Sequence, residues 1–163
     1  MVTLVVKENE EHRIVVDQIK RKLEPLMNEI DISITPDIMK LTNVQHLKTP
    51  ISGYLENVQH ILELVNILHP TPAVAGTPTD RAMAIIQELE NNDRGWYSGP
   101  IGWFELNGNG EFYVALRSAL VKDEEAHIFA GGGIVSESIP EKEWDETELK
   151  LLPMLSALTG GQI

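Results

Sequence analysis

Near the C-terminal end Glu143, Glu146 and Lys150 are separated by three and four positions, the spacing that places side chains on one face of a helix. Such a face is usually solvated and ion-paired. Its chemical alternative is a hard cation on Glu146 and an anionic group on Lys150. Glu11 could supply a second carboxylate, because magnesium takes one or two carboxylates and keeps several waters. Spacing alone does not join Glu11 to Glu146. Gly131-Gly132-Gly133 ends an apolar stretch by giving up side-chain packing at consecutive positions. That fits a bulge or bend, and equally a backbone that closes on an anion and offers it N–H groups. It is not a dinucleotide fingerprint, since G-x-G-x-x-G is absent. Arg117 alternates with Tyr113 and Ala115 on one face of a mostly apolar run, Phe112 to Leu120. Buried, its guanidinium would need a carboxylate or phosphate, which it can hold bidentately; facing solvent or paired within the chain, it carries no site. His69 stands before Pro70 and Pro72 in a rigid, irregular segment, a better place for a positioned imidazole than a solvated helix. His12, His46, His60 and His127 read as surface or core-edge residues, and no serine or histidine arrangement signals a nucleophilic triad.

These residues need elements to position them. From Lys7 to about Met27, Ile14, Val15, Ile19, Leu23 and Leu26 recur at helical spacing, with Glu8, Glu10 and Glu11 in an acidic first turn and Pro25 as a stop. Ile30, Ile32 and Ile34 alternate with polar residues, and Ile38 to Val44 is a short mixed run, so extended segments broken at Pro36 are expected. Gly53 to Leu68 returns to helical periodicity and should stop before His69-Pro70. Thr77-Pro78-Thr79-Asp80 resembles a capped start of the next helix, with proline in the first helical position. Beyond Asp93 the texture turns aromatic and β-branched, and Asn107-Gly108-Asn109-Gly110 has the chemistry of a hairpin turn. Ala126 to Ile134 is a further strand, and Glu143 to Leu158 a closing amphipathic helix containing Pro153. Helices flanking an antiparallel sheet give an α+β class.

Composition narrows the partners. The 163 residues are enough for one domain core without disulfides, and the formal charge of -12 with no basic run excludes the electrostatic footprint of a nucleic-acid binder. No cysteine is present, which fits a reducing cytoplasm. The first residues lack a basic n-region and a cleavage site, and no apolar run approaches the roughly 20 residues of a membrane span. A soluble, cytoplasmic chain with no membrane or nucleic-acid partner is the expectation.

Taken together, the ordered segments resemble the chorismate-utilising enzymes, which include anthranilate, aminodeoxychorismate, salicylate and isochorismate synthases. The resemblance rests on Glu11-His12 opening a helix, His46-Leu47 with Thr49, HPTPAVAGTP from His69, ELENNDRGWYSGPIGW from Glu88, GNGEFYVALRSA from Gly108, FAGGGIV from Phe129 and PEKEWDETELK from Pro140. It implies a part of that family's larger α/β sandwich, residues 1–163 being the C-terminal part of its chorismate-binding catalytic domain. His69 to Val74 looks like the isochorismate-forming type, where anthranilate-type members usually have Thr-Gly-Thr, and the RGWYSGPIGWFELNGNGEF stretch is closer to menaquinone-pathway members than to siderophore-pathway ones.

What the resemblance implies can be placed residue by residue. Glu11 and Glu146 match the family's magnesium carboxylates, with Glu143 beside them. Arg117, Lys150 and the amides of Gly131, Gly132 and Gly133 match the grip on chorismate's carboxylates. Ala73 and Val74 line the pocket, and His69 lies close to the reacting ring. Gly132 departs from relatives that often carry alanine. The implied activity is an isomerase step, magnesium-dependent conversion of chorismate to isochorismate for menaquinone biosynthesis. The family's lysine base and glutamate acid lie upstream of the residue matched by Glu11, so this chain is expected to be inactive alone. The alternatives are salicylate- or anthranilate-type chemistry, a siderophore role, or a non-catalytic interaction domain; surfaces exposed by truncation would favour self-association.

Overall fold

The computed structural model describes residues 2–40, 45–57 and 60–161, with side chains from residue 8 onward. The chain opens with helix α1 (Val2–Leu23), a 3-10 turn (Glu24–Leu26) and strands β1 (Met27–Ile32), β2 (Asp37–Lys40), β3 (Gln45–Lys48) and β4 (Ile51–Leu55). Helices α2 (Ile61–Leu68), α3 (Pro72–Ala75) and α4 (Thr79–Leu89) follow. Strands β5 (Pro100–Phe104), β6 (Gly110–Val114), β7 (Ser118–Lys122) and β8 (Glu125–Phe129) lead to helix α5 (Pro140–Leu158). The α+β class read from the sequence is the one observed.

Pairing is antiparallel throughout. β2 and β3 form a ribbon nested inside the pair β1–β4, and β5–β6 and β7–β8 are successive hairpins. The β5–β6 turn is the Asn-Gly turn expected: Asn107 Oδ1 accepts from the Asn109 N–H at 2.9 Å and Gly108 adopts φ +90°, a conformation glycine takes without steric cost. Among the described residues the ribbons do not join into one sheet. α1 packs against α2, α3 and β3, while α5 lies on β8.

The sequence placed several boundaries differently. α1 begins at Val2, not Lys7, so Glu8, Glu10 and Glu11 lie in the helix body rather than at its positive end. It gives way at Leu23 to the 3-10 turn that holds Pro25. The helix expected over 53–68 is two elements. Ile51–Leu55 pairs with β1, where Gly53 sits opposite Ile30 and a β-carbon on it would collide with the Glu29 carbonyl; the helix proper is α2. Val58 of that expected helix, and residues 41–44 of the run ending at Val44, lie outside the described residues. Ile34, expected inside an alternating strand, is fully exposed in the bend after β1. α4 starts at Thr79 with Pro78, not Thr77, at the cap. β8 ends at Phe129, leaving the three glycines in irregular backbone, and α5 starts at Pro140, the proline in the first helical position.

Arg117 does not lie within a strand. β6 stops at Val114, the Leu116 N–H turns back onto the Val114 carbonyl at 2.8 Å, and Arg117 itself takes φ +49°. The reversal breaks the alternation that would have put Arg117 on one face with Tyr113 and Ala115.

Core formation is slight. Among the described hydrophobic residues Leu23 and Ala75 are buried, whereas Leu89, Trp96, Ile101, Trp103, Tyr113, Leu120 and Val121 are exposed. The accessible surface is 12377 Å², against roughly 8,000 Å² for a closed monomer of this mass.

Candidate functional site

The irregular segment after β8 runs between α1 and α5, and short glycine backbone lets carboxylates approach it from both helices. From α1, Glu11 comes so near Gly133 that a β-carbon there would stand 2.7 Å from its Oε2. From α5, Glu143 Oε2 would be 3.5 Å and Thr147 Oγ1 3.9 Å from a β-carbon on Gly132. Glu143 is only 8% exposed, and the Glu11 Oε1 and Glu143 Oε2 atoms are shut off from solvent. One turn further along α5, Lys150 Nζ donates to the Gly131 carbonyl at 3.2 Å and pairs with Glu146 Oε1 at 2.6 Å. Helical spacing thus delivers Glu143 and Lys150 to one backbone segment, with Glu146 held beside it through its ion pair with Lys150. An open groove of about 390 Å³ continues beside it, lined in part by Gly132, Ile134, Glu143 and Trp144.

A second group is built by the prolines. His69 caps α2, its N–H donating to the Val65 carbonyl at 2.8 Å, and the His69–Pro70 bond is cis. α3 then closes on itself, with Val74 and Ala75 N–H groups donating to the Thr71 carbonyl at 3.1 and 3.0 Å, and Ala75 is completely buried. Burial, with a smaller push from the Lys22 ammonium, holds the His69 imidazole below its ordinary pKa. It is therefore biased to its neutral form, able to donate at one ring nitrogen and accept at the other.

Arg117 stands in a third environment, where its Nη2 donates to His46 Nε2 at 3.2 Å. His12, adjacent to Glu11, shares a 2.7 Å hydrogen bond with Thr49 Oγ1, and burial lowers its pKa. These contacts tie the β3–β4 region to α1 and to the β6–β7 reversal.

Sequence reasoning missed the unit that links the first two groups. Arg94 holds Glu90 through both carboxylate oxygens and donates to the Val74 carbonyl at 2.9 Å. Its guanidinium lies 5.9 Å from the centre of the Tyr97 ring, which stacks on Phe129 at 5.5 Å. Hydrogen bonding from Arg94 drives the Glu90 carboxyl pKa down, and burial drives the Tyr97 phenol up against the opposing effect of Arg94. The available signal was the i, i+4 spacing of Glu90 and Arg94. The structure therefore gathers Glu11, Glu143, Glu146, Lys150 and Gly131 to Gly133, connects Val74 to them through Arg94 and Tyr97, and pairs Arg117 with His46 instead.

For a cation, the donor chemistry is right for a hard ion: sheltered carboxylate oxygens of Glu11 and Glu143 on either side of a segment with no side chains. Among the described residues no three His, Asp or Glu groups converge closely enough to enclose a metal by themselves. Magnesium does not require that, since it commonly retains waters and takes oxygen ligands from its substrate. No helix among the described residues is long and apolar enough to cross a membrane.

Comparison with known proteins shows the family. Residues 4–159 match the family described as chorismate binding enzyme. The isochorismate synthase MenF of Bacillus subtilis is 46% identical over 150 residues, covering 92% of this chain and 32% of that protein. A salicylate biosynthesis isochorismate synthase of Pseudomonas aeruginosa is 46% identical over 153 residues, 94% of this chain and 32% of its own length. In structure, the DhbC protein of Bacillus anthracis, named as a 2,3-dihydroxybenzoate-specific isochorismate synthase, superposes with a TM-score of 0.89 at 40% identity over 92% of this chain and 40% of its own. The chain spans about a third of the length of the curated relatives it matches. Its match over nearly all its residues, with the same fold as a solved relative, places this chain in the chorismate-binding enzyme family.

Proposed function

We propose that the chain is the C-terminal, substrate-orienting part of an isochorismate synthase domain. The observation that carries this is the meeting of Glu11, Glu143 and Lys150 on the Gly131 to Gly133 backbone, which sets cation-binding oxygens beside an ammonium and close-approach backbone. Chorismate is a small dicarboxylate, and such a site suits it. In this reading Glu11 and Glu146, with Glu143 beside them, would hold magnesium, which when bound would neutralise a substrate carboxylate. Lys150 and the glycine amides would grip one carboxylate and Arg117, from its separate place beside His46, the other, while Ala73 and Val74 would wall the ring and His69 would face it as a neutral imidazole.

The reaction adds water at C2 of chorismate as the C4 hydroxyl leaves, and it needs a general base and a general acid. Family resemblance assigns these to a lysine and a glutamate upstream of the position of Glu11, and the residues described here would orient the substrate for them. The menaquinone pathway is supported by the RGWYSGPIGWFELNGNGEF block; the equal identity to the salicylate-pathway relative favours the siderophore or salicylate route as the second reading. A cytoplasmic location accompanies either.

Product identification tests the reaction class. The chain is combined with the upstream two-thirds of the Bacillus subtilis relative, and chorismate turnover in magnesium is resolved by chromatography. Isochorismate is the expected product. Anthranilate or salicylate would overturn the assignment.

A further inference from the structure

The two segments that the proposed function makes walls of the substrate pocket come from distant parts of the sequence, residues 69–76 ahead of α4 and residues 130–134 after β8. Arg94 stands between them with every guanidinium nitrogen occupied. Nη1 donates to the Val74 carbonyl at 2.9 Å and to Ser98 Oγ at 3.4 Å, while Nε and Nη2 hold the two Glu90 oxygens at 2.7 and 2.5 Å. The face of the same group lies over Tyr97. Tyr97 in turn stacks on Phe129, the last residue of β8, and its hydroxyl would stand 2.9 Å from a β-carbon on Gly131.

We infer that Arg94 is the positioning residue of the pocket: one edge fixes the Val74 turn, its face fixes the Tyr97 ring, and together they set the spacing between the Ala73–Val74 wall and the glycine wall. Glu90 holds the guanidinium plane so that both tasks are met at once. Lysine cannot replace it, because a compact ammonium has neither the fork nor the planar face. That these walls bind chorismate rests on the function proposed above; that Arg94 sets their spacing does not.

The rival role is a staple, an Arg94–Glu90 ion pair that only secures the end of α4. Amide resonances of the whole chain and chorismate titration separate the two, using Arg94→Lys, Glu90→Gln and the charge swap Glu90→Arg with Arg94→Glu. Positioning predicts that Arg94→Lys shifts the Gly131 to Gly133 amides well beyond the distant control Gly160 and weakens chorismate binding about tenfold, the scale of one lost charge-assisted hydrogen bond. Glu90→Gln, which leaves the Val74 contact and the stack, should weaken it less. The swap restores the ion pair without the Val74 contact and should rescue neither readout. Unmoved glycine amides in Arg94→Lys, or rescue by the swap, would overturn the inference in favour of the staple. If the wild-type chain fails to bind chorismate, the proposed function fails, and the ligand-free amide shifts still decide the role of Arg94.

Discussion

Gly133 leaves no room for a β-carbon against Glu11: one built there would stand 2.7 Å from the carboxylate oxygen Oε2. The glycine is what allows a carboxylate on the first helix to meet the segment that follows the last strand. Its neighbour is different, because a β-carbon on Gly132 would meet Glu143 Oε2 at 3.5 Å, ordinary van der Waals contact. Gly133→Ala should therefore displace the Glu11 carboxylate and abolish magnesium dependence of chorismate binding, while Gly132→Ala should keep it. The obstruction is the end of a flexible side chain, so thermal unfolding should place Gly133→Ala within about 1–3 kcal/mol of the parent, as for other overpacked sites.

Lys150 separates affinity from stability. Its ion pair with Glu146 is an i, i+4 surface contact, worth roughly 0.3–0.5 kcal/mol. Lys150→Met should leave the unfolding midpoint in denaturant nearly unchanged. Calorimetric titration should show chorismate affinity reduced tenfold or more, about 1.4 kcal/mol, because the ammonium on the Gly131 carbonyl, proposed to meet the anion, is gone.

His69 gives the fold a pH dependence. Its folded pKa lies below the unfolded value through burial and the nearby Lys22 charge, so the unfolded chain binds the proton more readily. The stability it contributes is fully present above the ordinary histidine value of about 6.5 and is lost as pH falls through the lower folded value. Melting temperature should fall between pH 7.5 and 5, and His69→Gln should flatten that part of the profile. An unchanged slope would show that His69 is not the group responsible.

The surface excess predicts company. An accessible area of 12377 Å² exceeds the size expectation by about 4,000 Å², and the ribbons carry exposed Ile101, Trp103, Tyr113, Leu120 and Val121 beside unpaired edges. Alone, the chain should sediment as concentration-dependent oligomers; with the upstream part of the family fold it should form a one-to-one complex. A dilute, well-behaved monomer would instead support a self-sufficient interaction domain.

Much of the site was legible because helical spacing and glycine chemistry are local. Glu143, Glu146 and Lys150 share a face as their spacing required, and the glycine run does lie where carboxylates approach. What was not legible depended on chain reversal and long-range pairing. The apolar alternation through Arg117 could not reveal the turn at Leu116 that breaks it, and the helical periodicity from Gly53 could not reveal that β1 would claim Ile51–Leu55 as a partner. Arg94 escaped notice because its value lies in contacts to Val74 and Tyr97, which an i, i+4 pair with Glu90 does not announce.

Titration of chorismate into this chain, with and without magnesium, followed by chromatography of the mixture, decides whether the Glu11 side of the glycine segment holds substrate through a cation. The expected result is saturable binding that strengthens with magnesium, is lost in Glu11→Gln, and yields no isochorismate. Binding indifferent to magnesium and to Glu11, or turnover by the chain alone, would contradict it.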